Sequence, residues 1–133
     1  MIINGREFEL KTAGKGGPLV IAAVGRETDC GRIFDIVKEK AAEKPFSIAF
    51  FKVTDWNREL SPWQAEGPFG DSFSGGAGKT LELLFGAVPA LKDQCPGCTG
   101  IYMAGYSLAG LFSLWALYSC ELFDGCASCS GSM

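Results

Sequence analysis

In Gly105-Tyr106-Ser107-Leu108-Ala109-Gly110 a serine stands between small residues placed two before and two after it. That spacing suits a nucleophile on a tight strand-to-helix turn, where helix and strand pass too close for larger side chains. At such a turn the Leu108 N–H opens a helix, where developing negative charge is favoured, which makes it a candidate oxyanion donor. Alanine occupies the last position of the strict G-x-S-x-G pattern. A serine nucleophile ordinarily uses histidine as its base, and the chain contains none. Lys52, Lys79 and Asp55 qualify by type, since serine–lysine pairs exist, but their spacing singles out none of them.

Two other patterns suggest different chemistry. Gly75-Gly76-Ala77-Gly78-Lys79-Thr80 ends like a phosphate-binding loop, yet Phe73 stands where the full pattern needs its first glycine. The residues before it also read as loop rather than buried strand, so a glycine-rich entry to a helix is expected, with a nucleotide-binding module as an alternative. Cys95-Pro-Gly-Cys98 and Cys126-Ala-Ser-Cys129 are each C-x-x-C. Residues three apart on a strand point to opposite faces, which spoils the second pair as a chelate, and the first follows a helix instead of opening one. The six cysteines are therefore expected to be reduced structural thiols, with no metal and no cofactor.

The elements that must position Ser107 are readable from the hydrophobic pattern. Ile2 to Leu10 holds a weak strand with Asn4-Gly5 as a turn, and Pro18 to Val24 is an apolar run suited to a strand buried on both faces. Thr28 or Asp29 caps a helix over residues 31–44, with Ile33, Ile36, Val37 and Ala41 at helical spacing and Pro45 as its stop. Phe46 to Val53 is a second buried strand, followed by a long loop rich in Gly, Pro and Trp. A helix over 78–93 needs a kink or break at Pro89. Thr99 to Ala104 then gives a strand, Leu108 to Cys120 a helix, and Phe123 to Cys129 a further strand. Alternation of strand and helix predicts a three-layer α/β/α sandwich around a mostly parallel sheet.

The chain has 133 residues, 47% hydrophobic and 20% charged, which fits one domain with a substantial core. Its net charge is −3 with scattered Lys and Arg, so no stripe exists for a phosphate backbone and nucleic acid is not expected as a partner. The longest apolar region is too short to span a bilayer and MIINGREFEL lacks a signal-peptide core; no membrane association and a cytoplasmic location are the expectation.

The stretch AGYSLAGLFSLWALYSCELFDGCASCSGSM resembles the nucleophile region of α/β-hydrolase-fold serine esterases, in particular the esterase D, feruloyl esterase and siderophore esterase group. FKVTDWNRELSPWQAEGPFG resembles the loop after the preceding strand of the same group. The resemblance implies Ser107 as nucleophile and Leu108 as one oxyanion donor. It puts a second donor near Gly25, Arg26 or Glu27, and Trp56, Asn57 and Trp63 around the cleft for a small-molecule ester. It also implies that the triad acid and histidine follow strands beyond Met133, which leaves this chain as the N-terminal part of one hydrolase domain and inactive alone. Asp124 would then be a turn residue. A non-catalytic α/β binding module is the alternative of a different class.

Overall fold

In the computed structural model the described residues are 1–66 and 72–129. Residues 130–133, the end of the stretch that carries the esterase resemblance, lie outside them. The first strand of the sequence reading is a hairpin of two: β1 (Ile2–Ile3) and β2 (Arg6–Ala13), with Ile3 opposite Arg6. Asn4 and Gly5 join them with φ of 52° and 78°, the backbone a two-residue hairpin turn requires.

β3 (Gly17–Gly25) is apolar throughout because both its faces are covered. Leu19, Ile21 and Ala23 enter the main core, while Val20, Ala22 and Val24 meet a second cluster on the opposite face. β4 (Phe46–Val53) divides in the same way, with Ala49, Phe51 and Val53 on the first face and Phe46, Ile48 and Phe50 on the second. Between these strands runs α1 (Cys30–Ala41), capped by the Asp29 carboxylate, which accepts the Arg32 N–H at 3.0 Å.

The contact face of α1 departs from the expected one. Cys30 and Phe34 are buried, with the Phe34 ring 5.3 Å from that of Phe46, whereas Ile33, Ile36 and Val37 are 38%, 49% and 37% exposed. Helical spacing identified an apolar stripe but not the side that meets the sheet.

The long loop after β4 is partly ordered into α2 (Trp56–Glu59) and an antiparallel pair, β5 (Gln64–Glu66) and β6 (Ser72–Ser74). α3 (Ala77–Asp93) continues through Pro89 without the expected break. Pro89 lies on the solvent face, where water can satisfy the carbonyl that loses its helical partner. β7 (Cys98–Tyr106), α4 (Leu108–Ser119) and β8 (Gly125–Cys129) complete the described chain.

The six main strands are ordered β1-β2-β4-β3-β7-β8, antiparallel from β1 to β4 and parallel from β4 to β8. α3 and α4 bury Leu81, Leu84, Val88, Leu91, Phe112 and Ala116 in the main core, and α1 packs on the opposite face. This is the three-layer α/β/α arrangement with a mostly parallel sheet. No helix among the described residues is long and apolar enough to cross a membrane.

Candidate active site

The parallel register brings distant residues together at the carboxyl end of the sheet. Ala22 pairs with Ala104 across β3 and β7; counting on along both strands, Gly25 comes level with Ser107. On the other side of β3, Gly25 pairs with Val53 at the end of β4. From β3 the chain crosses to β4 over one face through α1 and returns to β7 over the other through α3. Gly25 and Ser107 therefore flank the crevice where the winding reverses, the place where open α/β sheets bind ligands.

Ser107 has φ 59° and ψ −122°, a region costly for any residue with a side chain. Its surroundings hold it there. The Ser107 N–H donates to the Cys129 carbonyl at 2.9 Å, and its own carbonyl accepts from Gly110 and Leu111 at 2.9 and 3.2 Å. A Cβ on Gly105 would lie 2.3 Å from the Ala109 oxygen, so only glycine fits below the turn. Ala109 is fully buried, and a Cβ on Gly110 would come within 3.0 Å of Ser128 Oγ, which donates to the Gly110 carbonyl at 2.8 Å. The small residues thus let α4 cross close to β7 and β8 while the half-buried serine is presented at its start. The N–H groups of Leu108 and Ala109 belong to the first turn of α4, where no helical carbonyl can accept them.

Across the crevice Gly25 begins a turn closed by the Thr28 N–H on its carbonyl at 3.2 Å, with Arg26 and Glu27 exposed at the tip. A cleft of about 570 Å³ is lined by Gly25, Arg26, Glu27, Thr28, Val53, Thr54 and Trp56. Trp56 opens α2 and also packs against the main core. Asn57 is half-buried on the same helix; Trp63 is 55% exposed just before β5. Neither lines this cleft, and Ser107 stands on the neighbouring strand end rather than in its wall.

A buried carboxylate that the sequence did not single out organises this side of the site. Glu59, 5% exposed, accepts the backbone N–H groups of Thr54 (3.0 Å) and Asp55 and is ion-paired with Arg6. Arg6 also donates to the Lys52 carbonyl at 3.0 Å and lies 6.0 Å from the centre of the Phe51 ring. Glu59 thereby fixes the chain between β4 and α2 that carries Thr54 and Trp56. Nothing in local spacing marks it, because its cationic partner is on β2.

Four donors of the Gly75–Thr80 segment are turned into the protein. Gly75 N–H donates to Ser61 Oγ (2.8 Å), Gly76 N–H to the Arg58 carbonyl (2.8 Å), Ala77 N–H to the Ser61 carbonyl (3.1 Å), and Thr80 Oγ1 to the Glu59 carbonyl (2.7 Å). These are the groups a phosphate-binding loop would offer its ligand. The segment instead clasps residues 58–61 against the start of α3.

The alternative bases are committed elsewhere. Lys52 Nζ donates to the Thr28 carbonyl (3.2 Å) and Cys30 Sγ (3.3 Å) and is 3.6 Å from Glu9. Burial alone would lower its pKa, but the Cys30 hydrogen bond and the charges of Cys30 and Glu9 outweigh it, so Lys52 is held above the ordinary lysine value and remains an ammonium. Burial likewise pushes the Cys30 thiol up, with Lys52 opposing it. Asp55 caps α2 through the Arg58 N–H at 3.3 Å, and Lys79 is exposed on α3. Asp124 ties down the turn into β8, accepting the Ile101 N–H at 2.8 Å. Among the described residues no group of three or more His, Cys, Asp or Glu side chains is placed to hold a metal ion.

With this topology the chain has the α/β-hydrolase fold, and its likeness to solved structures extends over nearly its whole length. An IroE-like serine hydrolase from Shewanella oneidensis matches with TM-score 0.74 and 19% identity, covering 95% of this chain and 46% of that one. The siderophore hydrolase EstA from Aspergillus nidulans gives 0.70 and 17% over 93% and 52%, and the BES protein from Bacillus cereus 0.68 and 16% over 97% and 57%. The chain thus spans about half the length of these structures. No protein-family profile and no curated protein sequence matches it.

Proposed function

We propose that the chain is the nucleophile-bearing part of a serine hydrolase acting on small-molecule carboxylic esters. The carrying observation is the backbone of Ser107, held at φ 59° between β7 and α4 at the carboxyl end of the sheet. Strain of about 1–3 kcal/mol at a non-glycine residue persists only where packing enforces it, and such sites cluster at active centres. The likeness to hydrolases of the same fold points the same way.

Ser107 Oγ would attack the ester carbonyl as a base removes its proton. The oxyanion would rest on the Leu108 N–H and on one N–H from Gly25, Arg26 or Glu27, a reading supported by the parallel pairing of β3 with β7. The alcohol leaves, an acyl group stays on Ser107, and water releases it. Trp56, with Asn57 behind it and Trp63 further out, would bound the substrate side. The acid and histidine would come from residues following Met133, and no cofactor is required. Without them the 133-residue chain would retain only the catalysis of an oxyanion hole, about a million-fold below a complete triad.

A longer product of the same reading frame, assayed on a p-nitrophenyl ester, provides the test. Two further strands bearing an Asp and then a His, with activity lost in Ser107→Ala, are the expected result. Strong hydrolysis by the 133-residue chain, lost in Ser107→Ala, would replace the missing histidine with a base inside this sequence. The lack of histidine favours one second reading, a non-catalytic binding module with the same fold. A stop codon directly after Met133 and ester binding without turnover would establish it.

A further inference from the structure

We propose that Cys95-Pro96-Gly97-Cys98 is a reversible dithiol–disulfide site, closed by exchange with a low-molecular-weight disulfide. The Cys98 N–H donates to the Cys95 carbonyl at 3.2 Å, Pro96 occupies the second position, and Gly97 has φ 77° at the third. These are the marks of a type II turn, which keeps its first and fourth Cα atoms within about 7 Å. Disulfides span about 4.4–6.8 Å between Cα atoms, so the backbone is already shaped for the bond. Both side chains also meet the same core cluster. Cys95 is 7% exposed inside the main core, and Cys98 is half-buried against the same cluster.

Access comes from one side. Cys98 lines a cavity of about 620 Å³ at the amino end of β7, with Lys92, Asp93, Glu121 and Asp124 among its walls. Three carboxylates against one ammonium favour a neutral or cationic disulfide over an anionic one. The Cys98 thiolate attacks one sulfur of that disulfide; its S–S bond breaks, a mixed disulfide forms on Cys98, and the first small thiol departs with a proton from solvent. Cys95 then attacks the Cys98 sulfur, and its proton leaves with the second small thiol that is expelled. Two protein thiols are oxidised and one small disulfide is reduced. Cys95 needs no solvent access, because its step is intramolecular and the turn holds it at high effective concentration. The pair follows α3 instead of opening a helix, so it lacks the field that activates the thiols of oxidoreductases. Its product is a staple between the end of α3 and the first residue of β7.

The test is treatment of the native chain with cystamine, a cationic disulfide, followed by acid quenching, thiol blocking and peptide mass spectrometry. Modification of exposed Cys129 confirms that the reagent has acted. The peptide containing Cys95 and Cys98 is expected to lose two hydrogens, resist blocking, and recover on reduction. Cys95→Ser should retain cysteamine on Cys98, and Cys98→Ser should leave Cys95 a free thiol. Blocking of both wild-type thiols once Cys129 has reacted, or a Cys98 bond to any cysteine other than Cys95, would overturn the proposal.

Discussion

Two glycine-rich turns open the helices α3 and α4, and they use their backbone in opposite ways. At Gly75–Thr80 the N–H groups of Gly75, Gly76 and Ala77 and the threonine hydroxyl point inward to Arg58, Glu59 and Ser61, and the helix starts without a strained side-chain-bearing residue. At Gly105–Gly110 the turn forces Ser107 to positive φ, and Cys129 on the next strand takes its N–H. The first turn closes structure around itself; the second holds a hydroxyl-bearing residue at the sheet's carboxyl end. Letters resembling a ligand-binding loop mean little until the destinations of the donors are known. Glycine content is similar, but what passes beneath each turn differs: a loop under one, the close crossing of a helix over two strands under the other.

The sharpest separation is expected in catalysis. If the proposed serine hydrolase reading holds, Ser107→Ala in the hydrolase should reduce kcat on a p-nitrophenyl ester about a million-fold, whereas Thr80→Val should leave it within a few-fold. Equal losses would erase the distinction between the turns. Next in size is Glu59→Ala, which strands the partly buried Arg6 guanidinium and frees two N–H groups beside α2. It should cost about 3–4 kcal/mol in urea unfolding.

Gly105→Ala should destabilise by about 3 kcal/mol, because the new Cβ meets the Ala109 carbonyl of a packed helix at 2.3 Å. Gly76→Ala, whose Cβ meets the Arg58 carbonyl of the four-residue helix α2 at the longer distance of 2.7 Å, should cost less, about 2 kcal/mol. Reversal of that order by chemical denaturation would show that the tight turn is the first one. A finer test compares Ser107→Gly with Ser107→Ala, which lose the same hydroxyl. Alanine is ordinarily the more stable by about 0.5–1 kcal/mol, but at φ 59° and ψ −122° glycine should win by about 1 kcal/mol. The smallest effect is a null: ATP with magnesium should leave the melting temperature unchanged, since the Gly75, Gly76 and Ala77 N–H groups and the Thr80 hydroxyl already have partners within the protein.

Much of the scaffold was readable because continuous apolar runs such as PLVIAAV and FSIAFFKV occur where a strand is covered on both faces. The small residues around Ser107 were equally local, since a helix that turns straight back over its own strand imposes them on neighbours in sequence. Periodicity failed at α1, where Ile33, Ile36 and Val37 face outward while Cys30 and Phe34 make the contact. Spacing reports that a helix has an apolar side and carries no information about which neighbour reaches it. Pro89 lies within α3, so of the kink or break the sequence allowed there, the break does not occur.

The sequence by itself determined the main alternation of strands and helices, the small residues around the Ser107 turn, and a composition without histidine. Those properties depend on neighbouring residues or on composition, so one dimension suffices. Only the tertiary structure decided that β3 and β7 run side by side toward Gly25 and Ser107, that Arg6 pairs with Glu59, and that the residues leading into the GKT segment turn donors inward. Each depends on strand register and packing between segments far apart in the chain, which emerge when the faces of the sheet are buried together.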